Sequence, residues 1–480
     1  MTLVAGIDCS TQSTKALIVD LDSGEQVAIG RASHEVSGTG GARESDPDSW
    51  WIALRDAIAM TGRGVDIGAI SVAGQQHGMV VLDSSGRPLR AAKLWNDTES
   101  AQDAVALTEA FGGPDWWADH IGLVPVASFT ATKWAWLRRM EPGVAAATAA
   151  IRLPHDFVTE RLSGGGVSDR GDASGTAWWS TATGDYAPAV LEHELMRLDP
   201  GLLPKVLGPG EAAGTVTSEA ARFLGIPEGI PVGPGTGDNA GAAVGLGLES
   251  GVPVISLGTS GTAFMVSESR IIDPTGTVAG FADATGRFLP LAATLNCTVA
   301  VDRIAAWLGL DRNDVAGETG VVVLPYFDGE RTPNLPNAAA TVVGLRHTTD
   351  PKEILLAAYR GAVVGLLDAL DVIDDRSSGI ADDAPVVVVG GGAKGEAWRR
   401  VVGEMTGRAV QIPDNTELVA LGAAAQAGAM ITGEAPDAVA RRWDTRKGTT
   451  LDPVSRDDEA RDRINEVRGL TAQLNQERLA

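Results

Sequence analysis

Two stretches of this 480-residue chain repeat one local plan, and that plan limits how each half can fold. Near the start, an apolar run at residues 3–7 meets the hydroxyl-rich turn STQST at 10–14, and a second apolar run follows at 16–19. Later, an apolar run at 253–257 meets GTSGT at 258–262 and continues into a second at 263–266. Short apolar runs bounded by turn residues read as buried strands. Each stretch therefore reads as strand, tight turn, strand. The recurrence reads as an internal duplication, although short apolar hairpins also recur by chance.

The length agrees with two or three domains at roughly 150 residues each. Between the repeats lies GIPEGIPVGPGTGDNAG at 225–241, whose Pro and Gly content suits a domain boundary or a functional loop. DSGE at 22–25 reads as a hairpin turn, with a third extended stretch near Val27. In ESDPDSWW, Asp46 is placed to cap a helix with Pro47 at its first position. AISVAGQQHGMVVLD reads as strand, loop, strand, and the apolar run at 385–389 as a buried strand before GGGAKG. From about Asp457 the chain is charged with a helical period, as for a surface helix.

Composition removes several classes of function. A net charge of −23 argues against a nucleic-acid binder and against docking on an anionic membrane. It leaves phosphate binding open, because loops and helix starts bind phosphate through backbone N–H groups. Two cysteines, Cys9 and Cys297, make no disulfide framework and read as reduced thiols. The beginning MTLVAGIDCS has no basic region, Asp8 breaks its apolar run, and no apolar stretch reaches about 18 residues. The expected location is the cytoplasm.

Five motifs carry chemistry. Asp8 to Lys15 lies between two strands; Ser10, Thr11 and Ser13 suit a polyphosphate, and Asp8 suits Mg²⁺ held through water. The plain alternative is a polar hairpin turn, and the same alternative applies to Gly258–Thr262, the second such loop. GGGAKG at 390–395 satisfies G-x-G-x-x-G after a strand, with Asp414 beyond it, which makes a nicotinamide or flavin enzyme a rival. With 59 glycines the pattern is weak, and too little chain follows for a doubly wound domain. Glycines there also let an adenosine lie against the backbone. Asp238, in GTGDNAG, reads first as a helix cap. Its functional reading is a carboxylate kept ionised by the helix dipole and ready to take a hydroxyl proton. Phosphoryl transfer to an alcohol needs such a base, a metal and charge-stabilising groups. GQQHG at 74–78 offers Gln76 and His77 to sugar hydroxyls, against the bland reading of a structural histidine. No P-loop, protein-kinase set or zinc spacing occurs in the sequence.

Taken in order, GIDCSTQSTK, ESDPDSWW, AGQQHGMVVLD, LWND, FTATKWAWL, SDRGDASGTAW, GTGDNAGAAVG, SLGTSGT, PYFDGERTP and GGGAKGEAWRR resemble the FGGY carbohydrate kinases. The chain is most similar to the members that act on xylulose. The resemblance implies an α/β fold of two actin-like (ribonuclease H-like) ATPase domains with an interdomain cleft for ATP and sugar. It implies an N-terminal domain over 1–229, a C-terminal domain over 230–445 and a helical tail over 446–480. It implies Asp8 as the metal-associated acid, and Ser10, Thr11, Ser13, Gly258 and Thr259 as phosphate-loop residues. Gly391 and Gly392 match the adenosine loop, and that displaces the dinucleotide reading. Gln76, His77, Asp238 and Asn239 match the sugar contacts, with Asp238 the base.

The expected activity is transfer of the ATP γ-phosphoryl group to a ketopentose, D-xylulose first, with Mg²⁺. A kinase for ribulose or a polyol, or a non-catalytic sugar or nucleotide sensor, are the alternatives. The expected partners are ATP and a small sugar, not nucleic acid or membrane, with a homodimer left open. Three residues depart from the family's pattern. Gln76 stands where Met is common, Arg360 where an acid is usual, and Met140 where a polar residue is usual. Cys9 sits inside the first phosphate loop, either as a filler or as a site where oxidation would block ATP.

Overall fold

The computed structural model describes residues 2–473. Strand β1 (Leu3–Cys9) turns at Ser10–Gln12 into β2 (Ser13–Asp20), which pairs antiparallel with β1 and with β3 (Gln26–Ser33). On its other side β1 pairs parallel with β4 (Ile67–Gly74). The short strands Pro231–Val232 and Thr236–Gly237 then pair parallel with β4. The boundary expected after residue 229 therefore falls just before two strands that belong to the first sheet.

The second sheet repeats the plan. β5 (Val254–Leu257) pairs antiparallel with β6 (Gly261–Phe264), and β6 pairs antiparallel with β7 (Phe288–Thr294). β5 also pairs parallel with β8 (Val386–Val389), and β8 with β9 (Val410–Pro413). Thus in each sheet a run of antiparallel strands, three in the first and four in the second once Ala279–Ala282 is added beside β7, is followed by parallel pairing. The helical tail expected from residue 446 begins instead as the strand Gly448–Leu451, paired with β9, and turns helical over Asp458–Leu470.

Alternation along β1 sorts its side chains onto two faces. Leu3, Ala5, Ile7 and Cys9 join a core with Trp50, Leu54 and Ile58 of helix α1 (Pro47–Thr61). Asp46 caps α1 by accepting from the Asp48 N–H at 3.0 Å. The opposite face, Val4 and Gly6, meets a helix from the far end of the chain, α4 (Leu418–Thr432), which packs in turn on α2 (Asp238–Gly245). A Cβ at Gly6 would lie 1.9 Å from the Ala420 carbonyl oxygen, so α4 sits directly on β1. One core cluster joins α2 and α4 to Val4 and Ala69 of the first sheet and to Val254, Phe264 and Val387 of the second. The two helices are therefore packed between both sheets. A long helix, α3 (Pro351–Arg376), covers the second sheet. Among the described residues no single helix is long and apolar enough to cross a membrane.

Candidate active site

The site gathers where β1 and β4 end and α2 and α4 begin. Asp8, on the α4-facing side of β1, is buried; its Oδ1 accepts from the Ser10 hydroxyl at 2.5 Å. Lys15 Nζ lies 3.1 Å from Asp8 Oδ2 and 2.8 Å from Glu417 Oε2, which ties the first hairpin to the start of α4. A carboxylate has about four lone-pair positions, and these two partners leave others open. An oxygen donor of this kind suits hydrated Mg²⁺, so the residues present fit the ion. Thr11 Oγ1 accepts from the Trp95 indole N–H at 3.0 Å. Ser13 belongs to β2, and its hydroxyl accepts from Arg31 Nε at 3.1 Å. Cys9 points the other way into the core, where burial pushes its thiol up to about 12. A buried, protonated thiol of this kind is a filler rather than an oxidation site.

Asp238 is not the cap of its helix, as the sequence suggested. Gly237 takes the extended cap position, and Asp238 is the first helical residue. Its Oδ1 accepts from the Asn239 backbone N–H at 2.8 Å and from Asn239 Nδ2 at 2.9 Å. Nor does the helix dipole keep it strongly ionised. Burial, and then the charges of Asp8 and Asp172, push the carboxyl up to about 7. Gln76 completes the chain: its Oε1 accepts from Asn239 Nδ2 at 2.6 Å. The amide that replaces the common Met thus orients the residue that orients Asp238.

His77 has a positive φ of 63°, rare for a non-glycine residue and typical of constrained sites. Its N–H donates to Asp172 Oδ1 at 3.1 Å, and its carbonyl accepts from Thr130 Oγ1 at 3.2 Å. The ring packs between Phe129 and Phe281, with centroids at 5.2 and 5.3 Å. A Cβ at Gly175 would sit 1.9 Å from its Cε1. Burial, then Lys133 and Arg331, hold the imidazole well below its ordinary pKa, so it is neutral and can both donate and accept.

Beneath it lies a centre that motif reading did not assign. His155 Nε2 is 3.2 Å from Asp156, 3.3 Å from Asp169 and 3.6 Å from Asp172. These carboxylates hold the fully buried imidazole charged against the cost of burial. Asp169 also accepts from Thr236 Oγ1 at 2.9 Å, two residues before Asp238. The SDRGDASG string contained Asp169 and Asp172, but nothing in it pointed to His155.

In the second half, the Gly258 carbonyl accepts from the Thr298 N–H at 3.1 Å and from its hydroxyl at 2.8 Å. The Thr259 carbonyl accepts from Cys297 N–H at 3.3 Å, and its side chain is exposed. Gly392 packs beneath this loop, where a Cβ would be 2.7 Å from Leu257 Cβ and 3.0 Å from Thr298 Cγ2. Gly391 lines an adjoining cavity of about 340 Å³ with Gly390, Asp414, Asn415 and Thr416. So the structure brings Asp238, Asn239 and Gln76 into one hydrogen-bonded set, with His77 the chain neighbour of Gln76, and Gly258, Thr259 and Gly392 into another beside the cavity.

The N-terminal domain of the FGGY family of carbohydrate kinases matches residues 3–245, and its C-terminal domain matches residues 254–431. This chain belongs to the FGGY family of carbohydrate kinases. Within the family it is 55% identical to the xylulose kinase of Streptomyces rubiginosus over 463 residues, 96% of this chain and 95% of that protein. The xylulose kinase of Streptomyces coelicolor is also 55% identical, over 97% of this chain and 95% of its own length. Among solved structures, the xylulose kinase from Bifidobacterium adolescentis superposes with a TM-score of 0.86 at 36% identity, covering 98% of this chain and 99% of its own. The mixed two-sheet fold is therefore that of an FGGY kinase, a phosphotransferase acting on a sugar.

Proposed function

We propose that this chain transfers the γ-phosphoryl group of ATP to O5 of D-xylulose, giving D-xylulose 5-phosphate. The observation that carries the reading is Asp238, a half-buried carboxylate held by Asn239, whose amide is in turn held by Gln76, the chain neighbour of the neutral His77. The choice of sugar is supported by the names of the Streptomyces relatives. Asp238 takes the proton of the attacking hydroxyl. His77, Gln76 and Asn239 orient the sugar. Ser10, Thr11 and Ser13 in the first loop and Gly258 and Thr259 in the second position the phosphates, while Gly391 and Gly392 shape the adenosine side. Asp8 would hold Mg²⁺ through water, and the ion when bound neutralises phosphate charge.

The test is Asp238→Asn in a coupled assay of ADP formation over a panel of D-xylulose, ribulose and polyols. The expected result is a preference for xylulose in the wild type and a fall in kcat of at least about 10²-fold in the variant. Near-wild-type turnover by the variant would sink the assignment of the base. A preference for ribulose or a polyol would replace the sugar.

A further inference from the structure

The GERTP loop carries a cation that the fold itself does not use. The half-buried guanidinium of Arg331 makes no hydrogen bond or ion pair to another group among the described residues. Its neighbour Glu330 is fully engaged. Glu330 Oε1 accepts from the N–H groups of Leu295 at 2.6 Å and Arg331 at 2.8 Å. Its Oε2 accepts from the Asn296 N–H at 3.2 Å and from Asn296 Nδ2 at 3.1 Å. Three other cations of the two halves are committed: Lys15 to Asp8 and Glu417, Lys133 to the Ala127 carbonyl, and Arg170 to the Arg287 carbonyl. Glu330 offsets part of the cost of desolvating the Arg331 charge, but the guanidinium N–H groups stay without an acceptor, and a cation left so marks where a ligand's charge arrives.

The loop's anchors say which ligand. Glu330 and Thr332 fasten it to residues 293–296, Thr332 through its hydroxyl to the Ala293 carbonyl at 2.9 Å. The next two residues, Cys297 and Thr298, hold the carbonyls of Thr259 and Gly258 in the second phosphate loop. In the other direction, Arg331 is close enough for its charge to disfavour protonation of His77 on the sugar side. Arg331 thus sits on a loop fastened to the segment that holds the second phosphate loop, and its charge is felt at the sugar residue.

We propose that Arg331 is a catalytic residue that binds the γ-phosphoryl group while it passes from ATP to the sugar. This rests on the kinase reading above. In that step the bond from the γ-phosphorus to the β,γ-bridging oxygen breaks, and its electron pair leaves with ADP. The bond from O5 to phosphorus forms, and the O5 proton goes to Asp238. Negative charge stays on the three non-bridging oxygens, which the forked N–H groups of a guanidinium match better than an ammonium does.

The experiment compares wild type, Arg331→Ala and Arg331→Lys with saturating ATP and D-xylulose, with thermal melts as a check on folding. The expected result for Arg331→Ala is a kcat lower by at least about 10²-fold, KM for both substrates within about threefold, and partial recovery in added guanidinium. Should the alanine variant not fold, Arg331→Lys carries the test, with kcat lower by at least about tenfold and the same KM pattern. A kcat within about threefold of an active wild type overturns the role of Arg331 alone, as does a loss confined to KM for the sugar. A wild type that turns over no sugar in the panel overturns the kinase reading and this proposal with it.

Discussion

Burial and the charges of Asp8 and Asp172 push the Asp238 carboxyl up to about 7, and both activity and stability inherit that shift. A base must be ionised, so kcat/KM should fall as pH drops below about 7, read from a pH profile of the free enzyme. The stability effect has the opposite sense. The folded carboxyl binds its proton more tightly than the unfolded one, so ionisation costs the fold increasingly as pH rises toward about 7 and fully above it. Asp238→Asn should therefore raise Tm at pH 8, by on the order of a few kcal/mol in stability, and leave it nearly unchanged at pH 4. Thermal melts at the two pH values check this. The first phosphate hairpin was legible in sequence because Asp8, Ser10 and Lys15 lie within one turn of chain. Glu417 was not, since 402 residues separate it from Lys15. His155 was hidden for a related reason: its carboxylate partners at 169 and 172 reach it only after the chain has passed through a further strand.

At the level of elements, the approach of α2 and α4 is set by small residues. A Cβ at Gly422 would lie 1.9 Å from the Gly241 carbonyl oxygen, and one at Gly245 would lie 1.9 Å from that of Leu418. Backbone cannot yield to a methyl group at that distance without moving a helix. Gly422→Ala should destabilise by about 1–3 kcal/mol and shift Asp238, whose helix is the one displaced. Denaturant midpoints measure the first effect and kcat the second. The control is Gly469→Ala in the terminal helix Asp458–Leu470, which meets nothing within 4 Å and should be neutral or stabilising. That helix is held by Arg461 on Asp368 at 3.0 Å and by Arg360 on Asp457 at 2.8 Å, so the departure at position 360 serves packing. Helix starts were legible where a side chain caps them, as at Asp46. The start of α2 was misread by one residue because Gly237 carries no side chain to announce the cap.

Across the whole molecule, the duplicated hairpins foretold two sheets of one plan, while the contacts that join them left no local trace. The hairpin Ala279–Ala282 and β7 docks on the first half. There the Gly280 N–H donates to the Gly122 carbonyl at 2.8 Å and the Ala282 N–H to Ser174 Oγ at 2.9 Å. Arg170 reinforces this contact by donating to the Arg287 carbonyl at 2.7 Å. Arg170→Ala should lose roughly 1–2 kcal/mol there and speed hydrogen exchange at Gly280 and Ala282 by about tenfold, with the β1 amides unchanged. The placement of α4 on β1 has another consequence, in the order of synthesis. Strand β1 leaves the ribosome long before the helix that covers one of its faces. The first sheet therefore waits with Val4 and Gly6 bare until residue 432 emerges.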